Sequence, residues 1–159
     1  IVGFGNVGVR LSNLVKGFDM KILVNSKSLE SRKKDYPHVE NSSFEDLISK
    51  SDIISFHCKA PKDGKAMITK EHYKKMKSTS YIINAARGGV IDEVALIDAL
   101  DSGHLSFAAL DTFENEPNPE IKLLMHDKIS LTPHIGAATL EAQDRIGEEL
   151  ASQISRLLK

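Results

Sequence analysis

Residues 1–8 read Ile1-Val2-Gly3-Phe4-Gly5-Asn6-Val7-Gly8, and the spacing of the three glycines decides how the rest of the chain is read. A short apolar segment enters a tight turn and then a helix, whose patterning runs from Val7 to about Lys16 and stops at Gly17. In a turn that holds a dinucleotide each glycine has a steric reason. The first permits the turn, the second lets a pyrophosphate approach the backbone, and the third lets helix and strand pack closely. The free N–H groups at the helix start then face the phosphates. An ordinary glycine-rich strand-to-helix turn has the same letters, so the motif depends on its context.

Outward from that turn, Met20 to Asn25 reads as a second strand, completing a strand–helix–strand unit. Ser31 to Asn41 is polar and broken by Pro37. Ser43 with Asp46 resembles a capping box for a short helix ending near Lys50. Apolar runs then recur at Ile53 to His57, Tyr81 to Asn84, Leu105 to Leu110 and Ile129 to Leu131. Helical stretches near Lys70 to Met76 and Glu93 to Leu100 separate them. Asp92 caps the latter helix and Gly103 follows its end. Thr139 caps a final helix to about Leu158, with Ile146, Leu150, Ile154 and Leu157 on one face. The alternation predicts an α/β, Rossmann-type doubly wound parallel sheet in three layers, one domain over residues 1–159. Ile1-Val2 is only the tail of a strand, so the first strand reads as truncated and the chain as a piece of a longer protein.

A hydrophobic fraction of 41% with 27% charged residues is ordinary for a globular domain of 159 residues. A formal net charge of −1 leaves no footprint for nucleic acid, and no apolar run is long enough to span a membrane. The one cysteine, Cys58, cannot close an internal disulfide, and no secretion signal is visible; both predict a cytoplasmic protein. No His or Cys pair has metal-ligand spacing, so no metal site is expected.

The residues that carry chemistry follow the apolar runs, where an open parallel sheet places its ligand crevice. Arg87 lies in Ile82-Ile83-Asn84-Ala85-Ala86-Arg87-Gly88-Gly89, a guanidinium beside two glycines that leave room around it. Such a fork of donors holds a carboxylate and polarises a neighbouring carbonyl. Glu116 lies in Asp111-Thr112-Phe113-Glu114-Asn115-Glu116-Pro117, and His134 in Leu131-Thr132-Pro133-His134-Ile135-Gly136. A histidine presented after a strand, with a carboxylate to orient its other nitrogen, is a general acid/base pair. At the end of the second strand, where an acid usually meets a ribose, stands Ser26, followed by Lys27 and Ser28, with Arg32, Lys33 and Lys34 nearby. Two readings are open there: a site for the 2′-phosphate of NADP, or the solvated face of a short helix.

Four segments together, the glycine motif, Asn84 to Asp92, Ala108 to Pro117 and Thr132 to Gln143, resemble in order the nucleotide-binding domain of the D-isomer-specific 2-hydroxyacid dehydrogenases. The resemblance covers essentially the whole chain. It implies an NAD- or NADP-dependent oxidoreductase in which Arg87 anchors a 2-oxo or 2-hydroxy acid, His134 exchanges the hydroxyl proton and Glu116 pairs with His134. It further places Gly3, Gly5, Asn6, Val7 and Gly8 against the pyrophosphate, and Ser26 and Lys27 at the adenosine ribose. His57, Cys58 and Lys59 fall near the adenine, Ala85 and Ala86 near the nicotinamide ribose, and Asp111 near the carboxamide, with Gly136 also among the cofactor-binding residues. Glu114 is implied to be a bystander. A homodimer and a separate substrate domain, missing from this chain, are also implied, so the fragment alone is expected to turn over little substrate.

Three departures qualify this. Ser26 replaces the family's usual aspartate and resembles members that use NADPH to reduce glyoxylate, hydroxypyruvate or hydroxyphenylpyruvate. Lys59 replaces a usual proline. Residues 132–143 are closest to the 3-phosphoglycerate dehydrogenase branch. The substrate stays open among these classes. The alternative function is a dinucleotide-sensing scaffold, like the transcriptional co-repressors that resemble these dehydrogenases.

Overall fold

A computed structural model describes residues 1–158. The turn at Gly3–Gly5 leads into α1 (Asn6–Val15), then a short 3-10 turn and β1 (Ile22–Val24). There follow α2 (Lys27–Glu30), β2 (Val39–Asn41), α3 (Phe44–Lys50), β3 (Ile53–Phe56) and α4 (Lys70–Tyr73). The second half is β4 (Tyr81–Asn84), α5 (Glu93–Asp101), β5 (Phe107–Leu110), α6 (Ile121–Leu124), β6 (Ile129–Leu131) and α7 (Leu140–Leu157).

All strand pairs are parallel, with β1 on β2 and β3–β4–β5–β6 in sequential order. Val2 bridges Asn25 on one side and Phe56 on the other. Its N–H donates to Ser55 O (2.9 Å) and its carbonyl accepts from His57 N (2.7 Å). Gly3 N to Asn25 O (2.9 Å) and Asn25 N to Ile1 O (3.0 Å) close the other side. The spatial order is therefore β2–β1–Val2–β3–β4–β5–β6, a doubly wound sheet whose direction of winding reverses at the glycine turn. Val2 enters the sheet through isolated bridges alone.

The strands form because both their faces are covered. Ile54, Phe56, Ile82, Ala108 and Leu110 are fully or nearly buried in one core with Leu47, Ile48, Leu96 and Leu100 from the helices. Phe4, Ile22, Val24, Leu29 and Val39 form a smaller core under the first half. One stretch of the sheet face, however, opens into a trough of about 980 Å³ between Leu11, Leu23, Ile53 and Ile83. Helix starts follow local chemistry: the side chains of Ser43, Asp92 and Thr139 accept from the N–H of Asp46, Ala95 and Ala142, as expected. Gly103 takes φ +74° after α5.

Several elements differ from the sequence reading. Val39–Asn41 is a strand, not part of a structureless polar segment, because Val39 alone is buried and the pairing is supplied by β1. Lys27–Glu30 and Ile121–Leu124 are single helical turns too short to show a period. The helix expected over Lys70 to Met76 ends at Tyr73, where i+3 bonds from Lys75 and Met76 tighten the chain. The second and fifth apolar runs form regular strand over the shorter spans Ile22–Val24 and Phe107–Leu110. The apolar face of α7 covers no core: Ile146, Leu150 and Ile154 are about half exposed. No helix among the described residues is long and apolar enough to cross a membrane.

Thr112 is buried beside the crevice, and its hydroxyl has no hydrogen-bond partner among the described residues. An unpaired buried hydroxyl is a net cost that a methyl group of the same shape removes. Thr112→Val is therefore expected to raise unfolding free energy by about 1 kcal/mol, read from the urea midpoint at unchanged m-value.

Candidate active site

The carboxyl ends of β4, β5 and β6 lie side by side, since Asn84 pairs with Leu110 and Leu110 with Leu131. Three segments leave those ends in neighbouring positions: residues 85–89, 111–117 and 132–136.

The third segment carries His134, whose backbone is left-handed at φ +53°. A side chain held there without a glycine marks a backbone kept in place by its surroundings. The holding group is Asp111. Its Oδ1 accepts from the Thr132 hydroxyl (2.6 Å) and from Ile135 N (2.9 Å), and its Oδ2 from Gly136 N (3.2 Å). Partial burial would raise the Asp111 carboxyl, but these three donors and the nearby His134 hold it below its ordinary value. Asp111, expected at a carboxamide, and Gly136, expected at the cofactor, are here bound to each other in a clamp on the His134 loop.

The clamp sets His134 against the second segment. His134 Nδ1 lies 2.8 Å from Glu116 Oε2, while Glu116 Oε1 accepts from Phe113 N at 2.9 Å. The His134 contact first, and the Phe113 N–H second, pull the Glu116 carboxyl below its ordinary value. An ionised carboxylate only accepts, so the proton of this contact sits on Nδ1. That leaves Nε2, unpartnered among the described residues, free to exchange a proton.

Arg87 leaves the adjacent strand end and is exposed, but it does not touch the pair; its Nη1 donates to Ala86 O at 2.7 Å. Its loop is shaped by buried Asn84, which accepts from Ala86 N (3.2 Å) and donates to Arg87 O (3.0 Å). The neighbouring glycines have a different purpose from the one expected. A Cβ on Gly88 would collide with the carbonyl of Phe113, so Gly88 permits the first and second segments to touch rather than making room for a guanidinium. Gly89 lies at φ +75°.

The glycine turn lies across the sheet. Gly3 has φ +91°, and a Cβ there would meet His57 O at 2.5 Å, which brings His57 and Cys58 beside the turn. A Cβ on Gly8 would collide with Gly3 O. Gly5 is different: a Cβ there meets nothing within 4 Å, so no protein atom requires this glycine. It precedes a helix of 10 residues with no side-chain cap, and Asn6 and Val7 are exposed. Open space over Gly5 and uncapped amides fit a pyrophosphate.

The remaining expected residues fall around the turn. Ser26 caps α2, with its Oγ 3.0 Å from Ser28 Oγ, and Lys27 is exposed. His57 Nε2 lies 2.9 Å from Ser55 Oγ; burial first, and then the nearby N-terminus, lowers its pKa. Burial pushes the half-buried Cys58 thiol up, as an inert cysteine requires. Lys59 and Ala85 are exposed and Ala86 is buried. Two residues carry more than the sequence reading gave them. Arg32, noted only as a nearby charge, donates to Phe4 O (2.5 Å) inside the glycine turn and to Ser28 Oγ (3.3 Å). Asn84 was read only as the end of a strand, although a buried amide preceding a turn is a recognisable signal.

Residues 1–136 match the family model described as D-isomer specific 2-hydroxyacid dehydrogenase, NAD binding domain. D-3-phosphoglycerate dehydrogenase of Bacillus subtilis is 36% identical over all of this chain and 30% of its own length. Glyoxylate reductase of Thermofilum pendens is 40% identical over all of this chain and 48% of its length. The solved structure of an acyclic imino acid reductase in complex with NADPH and D-Arg superposes with a TM-score of 0.84 at 28% identity, over 99% of this chain and 49% of that one. The chain thus spans half or less of the relatives it matches. It belongs to the D-isomer specific 2-hydroxyacid dehydrogenases, matching them through their NAD-binding domain.

Proposed function

We propose that this domain serves an enzyme that interconverts a D-2-hydroxy acid and its 2-oxo acid, of the phosphoglycerate, glyoxylate or hydroxypyruvate class. The observation that carries the reading is the 2.8 Å contact between His134 Nδ1 and Glu116, with Nε2 left free at the strand ends. The dinucleotide, when bound, supplies or accepts the hydride. In the reductive direction His134 Nε2 gives its proton to the substrate oxygen, and Glu116 stabilises the imidazolium beforehand. Arg87 binds the substrate carboxylate, swinging its guanidinium off Ala86 O. Gly3, Gly5, Asn6, Val7 and Gly8 hold the pyrophosphate, while Ala85, Ala86 and the His57–Lys59 segment line its flanks. Residues 1–159 form the dinucleotide-binding domain, and a separate substrate domain completes the site and excludes water on closure. The family resemblance extends the proposal to a cytoplasmic homodimer. A steady-state assay of the chain alone is expected to show little turnover, and normal turnover would contradict the need for a second domain.

For the cofactor we propose NADP(H). Ser26 and Ser28 offer hydroxyls, and Lys27 an exposed cation without a salt-bridge partner among the described residues, where an acid would repel a 2′-phosphate. Titration by nicotinamide fluorescence is expected to give NADPH about tenfold tighter binding than NADH, and Lys27→Ala to remove most of that difference. Tighter NADH binding that ignores Lys27→Ala would refute it.

A further inference from the structure

Glu93 is the first residue of α5, yet its side chain does not face solvent as most helix-start acids do. It is buried, with 4% of its surface exposed, and its Oε1 accepts from the backbone N–H of Glu114 at 2.8 Å. Burial raises its pKa, and the carboxylates of Glu114, Glu116 and Glu120 raise it further against the one N–H that lowers it. An acid kept buried among acids is a cost to the fold, so its hydrogen bond has a task worth identifying.

Glu114 lies between Phe113, whose N–H donates to Glu116 Oε1, and Glu116 itself, whose Oε2 meets His134. The same stretch is pressed on its other side against Gly88, two residues before Val90 and one after Arg87. Fixing the Glu114 amide therefore fixes the path of the chain from Phe113 to Glu116.

We propose that Glu93 is a positioning residue: it reaches across from α5 to fasten the Glu114 backbone, and so sets Glu116 against His134. The consequence for chemistry rests on the reading of that pair as the proton-exchanging unit, but the positioning itself does not. A competing explanation is that Glu93 only favours α5 electrostatically, as an acid in a first helical turn does. The two differ in what they require. Positioning requires an acceptor oxygen at the end of a three-carbon side chain, which glutamine supplies and aspartate does not. Helix electrostatics requires a negative charge, which aspartate supplies and glutamine does not.

The test uses this chain, with two NMR readouts that involve no turnover: exchange of the Glu114 amide, and titration of the Glu116 side-chain carboxyl. Glu93→Gln is expected to leave Glu114 exchange within about twofold of the parent, with Glu116 still titrating below the usual glutamate range. Glu93→Asp is expected to speed Glu114 exchange at least about tenfold and to let Glu116 rise toward its ordinary value. Parent-like behaviour of Glu93→Asp, or loss of both signatures in Glu93→Gln, would overturn the proposal. Whether His134 exchanges a proton with substrate is read separately, by turnover, and that reading can fail while these signatures hold.

Discussion

Alanine at position 134 is expected to lower kcat by about 10²–10⁴-fold in the intact enzyme, with dinucleotide affinity unchanged to within about twofold. The size follows from what is removed. Nε2 is the only nitrogen of the ring not spent on Glu116, and a positioned proton donor contributes a factor of this order. The constancy of affinity follows from placement, because the glycine turn lies before α1, on the other side of β3 from His134. Substitution also relieves nothing essential in the backbone: φ at residue 134 is +53°, which alanine adopts no more readily than histidine. Retention of kcat within about tenfold would remove His134 from the chemistry and favour a scaffold that senses dinucleotide without turning over substrate.

The glycines separate into two groups with opposite expected outcomes. Gly8→Ala and Gly88→Ala each drive a Cβ into a backbone carbonyl, of Gly3 and of Phe113, and neither carbonyl is a flexible side-chain end. Each is expected to cost about 3 kcal/mol or more, a large share of the ~5–15 kcal/mol of a typical domain, visible as a sharp fall in thermal midpoint. Gly5→Ala is expected to change stability by less than about 0.5 kcal/mol, since its Cβ meets nothing and its φ of −83° is ordinary for alanine. It should nonetheless weaken dinucleotide binding at least about tenfold, because the open space is where the pyrophosphate lies in this reading. Calorimetry and fluorescence titration on the three variants check both halves. Equal destabilisation at positions 5 and 8 would show that the turn is shaped by the protein alone.

Why some of this was readable in advance and some was not comes down to range. The capping of α3, α5 and α7 by Ser43, Asp92 and Thr139 depends on atoms three residues away, and letters at that distance are visible. The strand ends bearing Arg87, Glu116 and His134 were visible because buried parallel strands are unbroken apolar runs. β2 was not, since a three-residue strand with one buried side chain has no pattern of its own and exists through β1. The purpose of Gly88 is invisible in the sequence for the same reason: the atom it avoids belongs to Phe113, on another strand's loop. Asp111 shows the limit most clearly. Its position in the sequence marks it as important, but that it spends both oxygens on residues 132–136 is a contact 21 to 25 positions away.

The bridge at Val2 has a mechanical meaning. On one side stand β1 and β2, on the other β3 to β6, and backbone hydrogen bonds of residues 1–3 tie the glycine turn to both, to Leu23 and Asn25 on one side and to Ser55 and His57 on the other. A molecule lying over the glycine turn, with one end toward Ser26 and the other toward Ala85, would bear on both half-sheets at once, so that its occupancy and their common alignment are coupled.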